Sequence, residues 1–159
     1  MNASVIIPTI GRPDNLKALL NSLARGTALP DEVLIIEQGD AEETRRLVER
    51  GPLPFSVSIV AQDEESSAVA RNRGVWESTG DILFFFDDDT EVDAAYLKTA
   101  KEYLQTHPQT LGLTGSIADE TTGGKLRRAI AILFNLYSRR ARNVVTNARM
   151  LIVSLLVVK

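Results

Sequence analysis

Runs of consecutive apolar residues alternate along the chain with stretches in which apolar residues recur every three or four positions. The continuous runs are typical of strands buried on both faces of a sheet. They fall near residues 4–8, 33–37 and 82–86; a weaker strand is predicted near 57–61, and residues 111–117 are a candidate fifth strand. Alternation of such strands with helices predicts an α/β fold, in which helices cover both faces of a mostly parallel sheet.

The predicted helices share a polar or proline start and a glycine or proline stop. They run from about Pro13 to Gly26, from Asp40 to Gly51, from Ser66 to Ser78 and from Asp93 to Pro108. Asp40 and Glu43 form a capping-box pattern, in which two side chains satisfy the free N–H groups at a helix start. Asp93 is expected to cap the fourth helix in a similar way.

Residues that follow the strands are the candidates for chemistry, because open α/β sheets bind ligands beyond the carboxyl ends of their strands. Three segments qualify, at residues 8–12, 37–40 and 87–89. The last is Asp87-Asp88-Asp89, whose adjacent carboxylates repel one another and are costly to bury for structure alone. Carboxylate oxygens suit Mg²⁺ or Mn²⁺, which bridge carboxylates and substrate phosphates. The alternative is a solvated turn, and the triplet alone does not distinguish among phosphate-handling enzymes.

The composition excludes several kinds of functional site and indicates the type of cellular compartment. The chain has no cysteine and one histidine, His107. Disulfides, zinc thiolates and cysteine nucleophiles are therefore excluded, and His107 is expected at a solvated helix end. The apolar run Val5 to Ile7 is too short for a signal peptide and follows no basic segment. A reducing, cytoplasmic location is the expectation.

Charge is distributed unevenly between two parts of the chain. Residues 1–120 contain 21 acidic and 10 basic residues, a balance of −11, whereas residues 121–159 contain 8 basic and no acidic residues. This shift separates an expected ligand-binding core, 1–120, from a basic and apolar tail, 121–159. The acidic core argues against nucleic acid as a partner.

The tail allows two interpretations. The apolar-rich stretch Leu126 to Tyr137 is flanked by Arg127-Arg128 and Arg139-Arg140. This pattern is typical of a basic amphipathic helix lying on an anionic membrane face, and such contact is expected through residues 125–149. A helix packed on the sheet with its arginines in water fits the same pattern. The apolar run 151–158 is far shorter than the roughly 20 residues that span a bilayer. A strand, an exposed patch, and a truncated or frameshifted end are all compatible with it.

Four segments carry a resemblance to family 2 glycosyltransferases of the GT-A fold. They are Ser4–Thr9, Leu34–Asp40, the Ala-Arg-Asn-x-Gly pattern at Ala70–Gly74, and the strand and acidic triplet at Gly80–Asp89. Each is weak alone, but together they follow the family's order and spacing from residue 4 to about 117. The resemblance implies a three-layer, Rossmann-like sandwich.

The resemblance also implies a nucleotide-sugar site. The residues implied to bind the nucleotide sugar are Pro8, Thr9, Arg12, Glu37, Gln38, Arg71, Asp87 and Asp88. Among them, Glu37 and Gln38 would reach the base and Asp88 the ribose. Asp89 would ligate Mn²⁺ or Mg²⁺, with Asp87 assisting through water.

Two positions depart from the family pattern. Gln38 replaces the second acid of a paired-acid motif, although its amide can still hydrogen-bond a uracil edge. Ile10 stands where an aromatic residue often stacks on the base. Arg71 also has an alternative role, either as a cation on the helix surface or as the partner of an acid in the triplet.

The implied activity is transfer of a sugar from a UDP- or GDP-linked donor to a hydroxyl of a glycan, lipid or polysaccharide, with inversion. The family uses a later acid as general base, and no convincing counterpart is found; the only late acids are Asp119 and Glu120. One alternative is a catalytically incomplete fragment that binds nucleotide or a partner. Another is a nucleotidyltransferase, for which residues 8–12 offer only one glycine and one arginine.

Overall fold

The computed structural model describes residues 1–115 and the backbone of residues 150–153. The strands are β1 (Ala3–Thr9), β2 (Glu32–Glu37), β3 (Ser56–Ala61), β4 (Ile82–Phe85) and β5 (Met150–Val153). The helices are α1 (Pro13–Ala24), α2 (Ala41–Glu49), α3 (Ser67–Glu77) and α4 (Tyr96–Thr106). The first four strands lie within one residue of their predicted bounds.

All strands are parallel, in the spatial order β3–β2–β1–β4–β5. The chain moves outward from β1 through β2 to β3, then crosses to the other side of β1 to form β4. The direction of winding therefore reverses between β1 and β4. In open α/β sheets, the carboxyl ends of the strands at such a reversal form the crevice that binds ligands.

Two apolar clusters cover the two faces of the sheet. Alternate residues of β1 face opposite ways, so Val5 and Ile7 pack with α1 and α4, while Ile6 packs with α3. The side of α1 and α4 holds the larger cluster, which includes Leu16, Leu19, Leu23, Phe84, Phe86, Leu97 and Leu104. Helices on both faces of a parallel sheet confirm the predicted three-layer class.

The first three helices start near the predicted residues, α1 at a proline and both α2 and α3 after a polar capping residue. Pro13 occupies the first turn of α1. The side chain of Asp40 accepts a hydrogen bond from the Glu42 N–H at 2.9 Å, and Ser66 caps α3. These side chains satisfy N–H groups that the first helical turn leaves without a partner.

The start of α4 differs from the prediction. The helix begins at Tyr96 rather than just after Asp93. Asp93 accepts a hydrogen bond from the Ala95 N–H at 2.8 Å, and its carbonyl accepts one from the Tyr96 N–H at 3.0 Å. Asp93 therefore stabilises a turn that precedes the helix instead of capping it.

The fifth strand lies elsewhere than predicted. Residues 111–115 form no strand, whereas β5 pairs in parallel with β4. Leu111 is 64% exposed and only Leu113 packs on the core, while Gly112 and Gly115 disfavour a strand. The apolar run near the end of the sequence supplies the missing neighbour of β4.

No helix in the described part of the chain is long and apolar enough to cross a membrane. Residues 125–149, for which a membrane-surface helix was one interpretation, lie outside the described residues, as do Asp119 and Glu120. His107 is exposed at the end of α4, where its ring stacks on Tyr103.

Candidate functional site

The carboxyl ends of β1, β2 and β4 bring the three candidate segments together. The Gln38 N–H donates to the Thr9 carbonyl at 2.9 Å, joining the ends of β1 and β2. The Thr9 hydroxyl donates to Asp88 at 2.7 Å, joining β1 to the segment after β4. The segments singled out from the sequence thus meet at one edge of the sheet, at the reversal of winding.

Asp88 is the inward member of the acidic triplet. It is only 5% exposed, and its carboxylate accepts the Thr9 hydrogen bond and lies 3.5 Å from the Arg12 guanidinium. A buried carboxylate is costly unless it is paired and hydrogen-bonded, and here both conditions are met. The Arg12 side chain stays 55% exposed, so one end of this pair is open to solvent.

Asp87 lies at the boundary between protein and solvent and forms an ion pair with Arg71 of α3. Helix α3 reaches this position because it lies very close to β1. A Cβ atom added at Gly74 would lie 2.3 Å from the Ile6 side chain, so only glycine permits this distance. Since Arg71 is one turn before Gly74, the close packing brings its guanidinium to the triplet.

Asp89 differs from its two neighbours. Its side chain is exposed and makes no hydrogen bond or ion pair with any other described residue. The three adjacent acids therefore have three environments. Asp88 is buried against Thr9, Asp87 is paired with an arginine, and Asp89 is exposed to solvent at the sheet edge.

The described side chains could hold a divalent cation only together with water and the phosphates of a bound substrate. Within the described residues, no three histidine or acidic side chains converge to hold a metal by themselves. Mg²⁺ is usually held by one or two carboxylates together with water and substrate phosphates. Asp89 is the exposed carboxylate of the triplet that could contribute to such a site, whereas Asp87 is already paired with Arg71.

Glu37 lies at the end of β2 and has no exposed surface. One carboxylate oxygen accepts the N–H groups of Gly11 at 3.2 Å and Gly39 at 3.0 Å, and the other accepts the Thr44 hydroxyl at 2.6 Å. Both oxygens therefore face the protein, and the expected contact of Glu37 with a base stays a prediction. Gln38, the next residue, keeps part of its surface exposed.

The remaining candidate, Pro8, is buried inside β1 opposite Ile36. Sequence reasoning missed Thr44, which carries one of the hydrogen bonds to Glu37. The available signal was weak: Thr44 is a small uncharged residue between charged ones on α2, and such a residue marks the side turned inward. It is the buried residue of that helix.

This candidate site is defined by polar groups that converge at the sheet edge, and not by a deep cavity. Surface depressions of about 440 and 600 Å³ lie beside α2 and between α1 and α2. Neither is lined by the acidic triplet. The second is lined by side chains of both charges, including Asp14, Lys17 and Arg46.

Comparisons with known proteins agree with the order of motifs. A family model described as glycosyl transferase family 2 matches residues 4–155. An uncharacterized glycosyltransferase of Haemophilus influenzae is 36% identical over 87 residues, covering 54% of this chain and 29% of the relative. The uncharacterized glycosyltransferase YwdF of Bacillus subtilis is 34% identical over 107 residues, covering 67% of this chain and 39% of the relative.

A solved structure confirms the predicted GT-A fold. The chain is similar to the crystal structure of S. aureus TarS 1-349 in complex with UDP-GlcNAc, with a TM-score of 0.66 and 24% identity. The match covers 77% of this chain and 36% of that one. The chain thus spans well under half the length of each of these three proteins.

Proposed function

The chain belongs to glycosyl transferase family 2, and from this premise we propose that it binds a nucleotide-diphosphate sugar whose sugar is transferred to an acceptor hydroxyl. The observation that carries the proposal is the junction of β1 and β4. There the Asp88 carboxylate accepts a hydrogen bond from Thr9 and pairs with the cationic side chain of Arg12, and the next residue, Asp89, is exposed. This junction lies where open α/β sheets bind their ligands.

The proposed donor is a UDP-linked sugar, with a GDP-linked sugar as the alternative that the experiment below separates. TarS, whose structure is similar in fold, was solved with UDP-GlcNAc. Gln38 supports a uracil contact, because a partly exposed amide offers both a donor and an acceptor to the edge of the base. Thr9, Arg12 and Asp88 are proposed to line the nucleotide pocket.

Asp89 and Asp87 are proposed to hold Mn²⁺ or Mg²⁺ against the diphosphate. When bound, the cation would neutralise the negative charge that develops on the diphosphate leaving group. Arg71 neutralises Asp87 in the structure and is proposed to approach the donor from the same side. Asp88 keeps the segment after β4 attached to β1, so the neighbouring carboxylates keep their places.

The proposed transfer inverts the anomeric carbon in a single displacement. Such a step requires a base that accepts the proton of the acceptor hydroxyl. We assign no described residue to that task, so the described residues supply the donor half of the reaction. The proposed acceptor is a hydroxyl of a glycan, lipid or polysaccharide.

A second candidate function is binding of nucleotide without turnover by this polypeptide alone. It is favoured by the lack of an assigned general base within the described residues. Family membership favours sugar transfer over nucleotidyl transfer. The two remaining candidates share the donor site and differ in the chemical step.

Calorimetry with UDP, GDP and ADP, each with and without Mn²⁺, tests the proposal. We expect Mn²⁺-dependent binding of UDP in preference to the other two nucleotides. Release of free UDP from UDP-sugars would then distinguish an active enzyme from a binding fragment. Equal binding of all three nucleotides, unaffected by chelator, would contradict a specific metal-assisted donor site.

A further inference from the structure

We propose that Glu37 is a positioning residue, which fixes the two loops that frame the nucleotide and does not itself contact the base. The inference rests on the proposed function, because it assigns a role within the same site. It replaces the direct base contact that the family resemblance implied for this residue. The contacts of its carboxylate carry the argument.

The Glu37 carboxylate joins three separate segments of the chain. Its hydrogen bonds reach Gly11 in the loop after β1, Gly39 in the loop after β2, and Thr44 in α2. Because the side chain has no exposed surface, a nucleotide cannot reach its oxygens without breaking these bonds. The carboxylate is therefore directed at the backbone that surrounds the site.

Folding alone does not call for a charge at this position. The preceding residues of β2, Ile35 and Ile36, show that apolar side chains fill the same strand completely. A buried carboxylate must recover its lost hydration from nearby donors. No described cation pairs with Glu37, and its three hydrogen bonds are to two backbone N–H groups and one hydroxyl. Such a group stabilises one particular loop conformation rather than the core in general.

The two loops need this support. Gly11 has φ of +55°, a left-handed backbone conformation that side chains other than glycine rarely adopt. A Cβ atom at Gly39 would lie 3.3 Å from the Glu37 carboxylate, so any other residue there requires the carboxylate to shift by a few tenths of an ångström. Each glycine is next to a residue proposed to face the nucleotide, Arg12 after Gly11 and Gln38 before Gly39. Glu37 thus sets the direction of both side chains.

Three variants test this role through UDP binding in Mn²⁺ and amide hydrogen exchange at Gly11 and Gly39. Glu37→Leu keeps the approximate size but leaves both N–H groups without an acceptor, so UDP should bind about tenfold more weakly, with faster exchange at both glycines. Glu37→Gln keeps an oxygen that accepts from the two N–H groups, and its NH₂ group can donate to the Thr44 hydroxyl. Its UDP affinity and its exchange rates at both glycines should therefore stay close to those of wild type. Glu43→Gln, an exposed change on α2, is the matched control.

Thr44→Val provides a test that does not depend on the folding of Glu37→Leu. Thr44 is buried on α2 and cannot touch a nucleotide. Losing its hydroxyl should nevertheless weaken UDP binding and speed exchange at Gly11, each less than Glu37→Leu does. A direct base contact predicts instead that Glu37→Leu weakens UDP binding while Thr44→Val leaves UDP binding unchanged.

The outcomes also separate this inference from the proposed function. If wild type binds UDP and both Glu37→Leu and Thr44→Val bind it equally well, the positioning role is wrong and the donor site stands. If wild type does not bind UDP, the proposed function fails and this role fails with it, even where exchange at the glycines responds to the variants.

Discussion

Three consecutive aspartates show how much the surroundings of a residue decide beyond its identity. Asp87, Asp88 and Asp89 are chemically identical and adjacent in sequence. Yet Asp87 is paired with an arginine, Asp88 is buried and Asp89 is exposed. Their position after a buried strand was predictable from the apolar run before them. Their three different environments were not predictable, because they depend on Thr9 and Arg71, which are distant in sequence.

Glu37 illustrates the same limit. The end of β2 was predicted correctly, and with it the position of this acid at the sheet edge. Its burial was not predicted, because a carboxylate is normally exposed unless donors surround it. One of those donors, Gly11, is 26 residues earlier in the chain. Only the fold shows that the loop after β1 comes to this oxygen.

Glu32, at the opposite edge of the sheet, gives a pH prediction at the residue scale. Partial burial raises its pKa, but hydrogen bonds from Ser4 and Thr79 lower it more, so the folded pKa lies below the usual 4.5. A lowered folded pKa means that its stabilising contribution is present above pH 4.5 and is lost as the pH falls through the folded pKa. Glu32→Gln should therefore lower stability near neutral pH and flatten the acid limb of the stability curve.

Urea unfolding at a series of pH values measures this effect. Glu102→Gln is the control, since Glu102 is exposed on α4 and its only described ion pair is a long one with Lys98, at 3.9 Å. The control should follow the wild-type curve. If Glu32→Gln kept the full wild-type slope below pH 4.5, the hydrogen bonds to Glu32 would not be the source of acid sensitivity.

At the scale of elements, strands with continuous apolar runs were predicted closely and irregular segments were not. β1, β2 and β4 are buried on both faces, so their composition alone marks them. The start of α4 was missed because Asp93 suits a turn as well as a helix cap. For the apolar run that contains β5, a strand was only one of several interpretations, because the position of a strand beside β4 depends on long-range pairing rather than on local pattern.

The packing of α3 on β1 leads to a prediction about Gly74. Gly74→Ala would force a methyl group against Ile6, and overpacking of this kind costs about 1–3 kcal/mol of unfolding free energy. This loss should exceed the gain of about 1 kcal/mol that alanine brings to a helix interior. Because Arg71 is one turn away on α3, UDP binding should weaken as well.

Gly51→Ala is the matched control for this substitution. A Cβ atom at Gly51 would meet no atom within 4 Å, so its effect should stay within about 0.5 kcal/mol. Denaturant unfolding of both variants, with UDP titration of each, provides the measurement. Equal stability of the two variants would show that α3 does not depend on this close contact.

At the scale of the whole molecule, the winding of the sheet explains why separate motifs form one site. β2 and β4 lie on either side of β1 and run in the same direction, so the residues after all three strands share an edge. The order of the motifs was sufficient to predict the GT-A fold and the family. Acceptor chemistry was not predictable, because no motif for it was recognised in the sequence.

The charge asymmetry also belongs to this scale. The acidic balance lies in residues 1–120, and the basic residues without acids lie in 121–159. Membrane-surface contact through residues 125–149 stays a prediction, since that segment lies outside the described residues. If the segment binds anionic lipid through exposed charges, its binding to anionic vesicles should weaken as the salt concentration rises, because salt screens the attraction.

Metal-dependent donor binding by the acidic triplet is the central claim, and comparison of two aspartates tests it most directly. Asp89→Asn keeps size and polarity but removes the charge of the proposed ligand. Asp93→Asn makes the same change four residues later, where asparagine can still accept the Ala95 hydrogen bond. The pair therefore separates loss of a ligand from a general loss of negative charge.

UDP affinity should be measured by calorimetry for wild type and both variants, in Mn²⁺ and in chelator. Wild type and Asp93→Asn should bind UDP in Mn²⁺ with similar affinity and lose binding in chelator. Asp89→Asn should bind at least about tenfold more weakly in Mn²⁺, since even residues that only support metal ligands contribute that much. Equal, metal-independent UDP affinity in wild type and Asp89→Asn would contradict the assignment of the triplet as a metal-assisted donor site.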